Sequence, residues 1–179
     1  MTAVTERDML DLLNARYSKS YRNGQSLMHR YTRAEHVRSQ LGFDAPRTAD
    51  YMAVDLWGTI GPVEKRGPFV HCHEVKVSRS DWLTELKDPD KAGAFKPFVH
   101  YFWLVAADKD IVRGDLPDDW GLMVKQGNGL RVIVPAPKLN PQPMPLTMHG
   151  SLLRATAKTA ERFGREKLLS EQAADSGPP

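Results

Sequence analysis

The sequence has a single cysteine, Cys72, in 179 residues. That excludes an intramolecular disulfide framework and any CxxC zinc site, and it agrees with a reducing compartment. Long apolar runs are also missing: nothing approaches the roughly 20 residues of a transmembrane helix, and the opening Met-Thr-Ala-Val-Thr-Glu-Arg-Asp lacks a signal-peptide core. A cytoplasmic protein is expected. Neither sign of charge dominates, because 25 Lys and Arg against 22 Asp and Glu leave a net charge of only +3. Such a balance permits nucleic-acid binding without demanding it. What is present, 41% apolar and 26% charged residues, is the composition of a globular chain rather than a collagen-like, mucin-like or wholly disordered one.

At this length one domain is expected, over 1–169, with 1–31 as an N-terminal helical extension and 170–179 as a disordered tail. Met9, Leu10, Leu13 and Tyr17 recur at helical spacing behind a Thr5–Asp8 capping box, so the first element reads as a helix. Thr32 with Glu35 repeats that box and predicts a second helix toward Leu41, stopped by Gly42. After the loop Phe43 to Arg47, strands are expected over Asp50–Trp57 and Phe69–Val77, paired antiparallel across a loop holding Gly58, Gly61, Pro62, Gly67 and Pro68. Ser78 and Asp81 cap a helix carrying Trp82, Leu83 and Leu86 that ends before Pro89. Val99–Ala106 is apolar enough for a central strand, and Gly121–Lys125 with Leu130–Val134 reads as a hairpin around Asn128-Gly129. A proline-rich stretch, 135–146, then leads to a final helix over Thr147–Leu169. The fold class is therefore α/β (α+β), one mixed five-stranded sheet flanked by helices.

Glu74-Val75-Lys76 is the candidate site, because residues i and i+2 of a strand project from one face. Glu74 suits a hard divalent cation through oxygen, and Lys76 can orient or help deprotonate water and offset charge on a phosphate. Asp50 and Asp55 compete for the second carboxylate. With Trp57 near Val70, antiparallel pairing brings Asp50 to Glu74 and Lys76 and leaves Asp55 near His71 on the other face. Asp50 is chosen. Glu35, on the expected second helix, could add a supporting acid, although the Thr32 box already accounts for a Glu at that spacing. Glu85-Leu86-Lys87 fits the same Glu-x-Lys pattern, but on an expected helix, so context favours the first.

Arg47-Thr48-Ala49-Asp50 opening a strand, followed by Glu74-Val75-Lys76-Val77-Ser78-Arg79-Ser80-Asp81-Trp82, resembles the PD-(D/E)XK nuclease superfamily and, within it, the MmcB-like DNA repair nuclease family. A looser resemblance continues through Tyr101–Val105, Leu116-Pro117, Trp120–Leu122 and Ala136–Leu139, covering about Arg33 to Arg162. The resemblance implies a restriction-endonuclease-like core, Mg²⁺ (or Mn²⁺) dependence, a DNA phosphodiester substrate and, as in many such nucleases, a homodimer. By it Asp50 and Glu74 would bind metal with the Val75 carbonyl, and Lys76 would serve the attacking water. Ala49 stands where the superfamily's name has proline, and nothing after Lys76 matches the Gln-x-x-x-Tyr signature of RecB-type exonucleases. The function expected is a metal-dependent DNA endonuclease in bacterial or phage DNA repair or processing. The alternative is a catalytically inactive nucleic-acid- or protein-binding module on the same fold.

Arg47, Arg79, Lys87 and Lys91, near the motif strands, are the candidates for DNA contact, with Lys96 nearby. Arg154, Lys158, Arg162 and Arg165 recur along the last helix but suit a solvated face equally. His71 and His73 share a face without a third ligand, so packing under a helix or at the sheet edge is expected for both. Cys72 reads as a small buried residue and Trp82 as partly core.

Overall fold

The computed structural model describes residues 3–23, 25–42, 47–57 and 67–175. Its main body is a mixed six-stranded sheet of order β3-β4-β5-β6-β7-β8, formed by Tyr31–Arg38, Thr48–Asp55, Phe69–Lys76, Tyr101–Ala106, Gly121–Gln126 and Gly129–Val134. A separate hairpin, β1 (Ser20–Asn23) with β2 (Ser26–His29), precedes it. Helix α1 (Glu6–Arg16) lies on one face, and α2 (Arg79–Leu86), α3 (Pro89–Gly93) and α4 (Leu146–Asp175) serve the other. Pairs β5–β6 and β6–β7 are parallel and the outer pairs antiparallel. Parallel neighbours need a crossover, which α2 and α3 supply between β5 and β6.

Two cores follow from strand alternation. Met52, Cys72, Phe102, Leu104 and Leu122 pack with Trp82, Phe95, Met148 and Leu152 on the α4 face. Tyr51, Ala53, Val75, Trp103, Val105 and Met123 pack under Met9, Leu10 and Leu13 of α1, whose Thr5–Asp8 capping box forms as expected. Every residue of β6 from Phe102 to Ala106 is buried, as a central strand requires.

Four expectations are corrected. The segment after Thr32 is strand β3, antiparallel to β4, so the sheet has six strands rather than five. Tyr31, Thr32 and Val37 suit a pleated edge, and tertiary pairing overrides the local capping pattern. The stretch 1–31 is not wholly helical, since α1 stops at Arg16 and a hairpin follows. Helix α4 continues to Asp175 through most of the expected tail, the rest of which lies outside the described residues. Residues 43–46 and 58–66 of the two expected loops also lie outside them. The β7–β8 turn is Gly127-Asn128, with Gly127 at φ 57°, one residue earlier than the expected Asn128-Gly129. Among the described residues no helix is long and apolar enough to cross a membrane.

Candidate active site

Strand β5 ends at Lys76, and Ser78 immediately caps α2 by accepting the Asp81 amide at 3.2 Å. This abrupt strand-to-helix change leaves Glu74 and Lys76 on the α4 face at the end of a central strand. Glu74 is fully buried and Lys76 is 4% exposed. The β4–β5 register pairs Tyr51 with His73, which carries Asp50 opposite Glu74 on the same face. Asp50 Oδ2 accepts the Val75 amide at 2.7 Å. Asp50, Glu74 and Lys76 are thus brought together. Asp55 is not among them: it pairs with Phe69 and takes the Arg30 guanidinium, with Nε–Oδ1 at 3.0 Å. The register differs in detail from expectation, since Val54 rather than Trp57 sits across from Val70.

Two residues from the helices complete a cluster the motif alone did not contain. Glu85 of α2 accepts Lys76 Nζ at 2.9 Å on Oε2. Lys91 of α3 places Nζ 2.5 Å from Glu74 Oε2 and 3.0 Å from Glu85 Oε2, while Lys76 Nζ is 3.6 Å from Glu74 Oε2. The second oxygens, Oε1 of Glu74 and Oε1 of Glu85, are buried without a hydrogen-bond partner. A signal for Glu85 was present: Trp82 and Glu85 share a helix face at i, i+3, so a carboxylate sits on the stripe that should be apolar.

Burial, followed by the charge of Asp50, pushes the Glu74 carboxyl up to about 8 despite the two lysines. Burial disfavours the charged forms of Lys76 and Lys91, but Glu74 and Asp50 outweigh it and hold both ammoniums above the ordinary lysine range.

Glu35 does not join this site. It lies on strand β3 opposite Tyr51, where Arg7 Nη2 and Arg162 Nη2 each reach Oε1 at 2.7 Å and Asn14 Nδ2 reaches it at 2.6 Å. Burial alone would raise its pKa, but hydrogen bonds from Arg7 and Asn14 hold it below the usual carboxylate range. The box with Thr32 is not formed because these long-range donors take the carboxylate instead.

The expected DNA-contacting cations are mostly engaged within the protein. Lys91 belongs to the buried cluster, Arg47 pairs with Asp88 at 2.7 Å, and Arg79 pairs with Asp115 at 2.5 Å while donating to the Ile111 carbonyl at 2.8 Å. Lys96 pairs with Asp119, and Lys87 is exposed at the end of α2. On α4, Arg154 and Lys158 line a groove of about 600 Å³ with Arg38 and His36 of β3, whereas Arg162 is held by Glu35 and Glu166. His73 is fully buried on the α1 face, where Tyr17 Oη lies 2.9 Å from its Nε2. Trp82 is fully buried and donates Nε1 to Asp115 at 2.9 Å, so base stacking is not open to it.

Among the described residues no group of three or more His, Cys, Asp and Glu is arranged to hold a metal ion. The donors at hand nevertheless fit one. Asp50, Glu74 and a backbone carbonyl are hard oxygen ligands, and the unpartnered Glu74 Oε1 has a lone pair to offer.

No protein-family model matches the chain, and no curated protein matches it either. Among solved structures it is similar to a protein of unknown function from Silicibacter pomeroyi, with 17% identity, a TM-score of 0.49 and coverage of 83% of this chain and 84% of that one.

Proposed function

We propose that the chain is a metal-dependent DNA endonuclease, hydrolysing phosphodiester bonds on a restriction-endonuclease-like core, and that Asp50, Glu74 and Lys76 are its catalytic residues. The observation carrying this reading is the convergence of two carboxylates and an ammonium at the end of β5, with the Glu74 Oε1 atom buried and unpartnered. A buried carboxylate left half-satisfied costs stability, and such arrangements collect at functional sites. The mixed sheet with helices on both faces is compatible with the proposed core.

Asp50 and Glu74, with the Val75 carbonyl, would hold Mg²⁺ or Mn²⁺, which when bound neutralises phosphate charge and acidifies water. The Val75 amide fixes the Asp50 carboxylate, leaving its other oxygen directed away from that bond. Lys76 stays charged beside Glu74 and Glu85, placed to orient the attacking water and to offset negative charge as the phosphodiester is attacked. Lys87 and the Arg154–Lys158 groove supply exposed cations for the DNA backbone.

One observation favours a second reading. Lys91 already neutralises Glu74, as a permanent ion cluster would in a non-catalytic nucleic-acid- or protein-binding module. Incubating the protein with labelled single-stranded, duplex, flapped and four-way-junction DNA and Mg²⁺ or Mn²⁺ separates the two. Cutting that disappears in Glu74→Ala and Lys76→Ala is the expected result. DNA binding without cutting, equal in wild type and both variants, would replace the nuclease with the binding module.

A further inference from the structure

Lys91 and Glu85 have no assigned role in the proposed chemistry, yet their contacts with the buried carboxylates are among the shortest in the site. Three carboxylates, Asp50, Glu74 and Glu85, face two ammoniums, Lys76 and Lys91, so the cluster carries one net negative charge when all are ionised. The two lysines differ in attachment. Lys76 is on a central strand with its side chain 6% exposed, so its ammonium has almost no open path to water. Lys91 is on α3, a five-residue helix, and its side chain is 22% exposed, so the flexible stem can swing the ammonium into water with little backbone change.

We infer that Lys91 is a displaceable internal counter-ion: it occupies the cation position at Glu74, and a divalent cation enters by expelling it. The inference rests on the metal-dependent reading of the site. With Glu74 ionised, removing the Lys91 charge leaves two net negative charges, which one divalent ion neutralises as it displaces the Glu74 proton. Both buried carboxylates keep an unpartnered oxygen while Lys91 is in place, so the ammonium satisfies only half of each. A cation with several coordination positions serves such oxygens better than an ammonium with three protons. Glu85 then has a stated role as well: it holds Lys91 and Lys76 between itself and Glu74, which keeps the site folded before the cation arrives.

The test is Mn²⁺ binding followed by titration calorimetry and by electron paramagnetic resonance, on wild type, Lys91→Met and the double variant Glu74→Gln/Lys91→Met. Lys91→Met should bind Mn²⁺ at least tenfold more tightly than wild type, and the double variant should lose that gain. Equal affinity in wild type and Lys91→Met overturns the counter-ion but leaves the metal-dependent reading standing. Absence of Mn²⁺ binding by either at millimolar concentration overturns both. Lysine acetylation mapped by mass spectrometry on the wild-type protein gives a second readout that no folding defect can confuse. Adding Mn²⁺ should raise labelling at Lys91 several-fold while Lys76 stays protected, and unchanged Lys91 labelling in Mn²⁺-loaded protein overturns the displacement.

Discussion

Glu74 concentrates the conflict between stability and activity in this chain. Its folded-state pKa of about 8 lies well above the ordinary glutamate value, so the folded protein holds a proton that the unfolded chain releases from about pH 4.3 upward. Stability is therefore lost as pH rises from about 4.3 through about 8. Glu74→Gln removes that loss and should stabilise the protein at pH 8.5 by on the order of 5 kcal/mol, with little effect near pH 4. Urea unfolding of both proteins at the two pH values checks this, and an equal shift at both would contradict the assignment. Asp50, Glu74 and Lys76 were legible in the sequence because strand parity and hairpin pairing are local rules. Glu85 left only one trace, a carboxylate on the Trp82 stripe of α2, and Lys91 none, because both reach the site from helices whose docking is set by long-range packing of Trp82, Ala92 and Phe95. Lys91 is a reversal of expectation: spacing along the chain suggested a DNA contact, and burial makes it a site residue.

At the scale of elements, strand β3 shows how a sequence signature can be outvoted. Thr32 and Glu35 have the spacing of a capping box, but Glu35 is drawn to Arg7, Asn14 and Arg162, and its amide donates to Thr159 Oγ1 of α4 at 3.0 Å. That last bond covers an edge strand that would otherwise offer a free amide for pairing. Strands β4 to β8 are legible because their apolar or alternating patterns carry no competing capping signal. Two glycines test the packing between elements. A Cβ at Gly121 would lie 2.7 Å from Ala136 Cβ and closer still to the Trp103 ring, so Gly121→Ala should destabilise by about 2 kcal/mol. At Gly150 the obstacle is only the Cδ1 of half-exposed Leu41, at 2.7 Å, and alanine favours the helix, so Gly150→Ala should be neutral or stabilise by up to about 1 kcal/mol. Thermal melts of both variants report the contrast. His71, under α1, is pushed down to about 4 by burial and accepts Trp103 Nε1 at 3.3 Å. Its neutral form contributes stability fully above about pH 6.5, and the contribution is lost as pH falls toward about 4. His71→Gln should be less acid-sensitive than wild type by about 2–3 kcal/mol across that window, read from urea unfolding at pH 7 and pH 4.

For the whole molecule, the sheet separates two tasks. The α1 face carries an aromatic and histidine core, while the α4 face carries the acid and lysine cluster at the end of β5. That division follows from alternation along β5, which sends His71 and His73 one way and Cys72, Glu74 and Lys76 the other. This cluster is proposed to cut DNA rather than merely to hold the fold together. The most direct measurement compares Mg²⁺-dependent cleavage with DNA affinity for wild type and Lys76→Met, each confirmed folded by circular dichroism. The variant should keep DNA affinity within about threefold and lose cleavage by at least about 100-fold, as expected for a group acting on the developing charge. Lys76→Met cutting at the wild-type rate would contradict it.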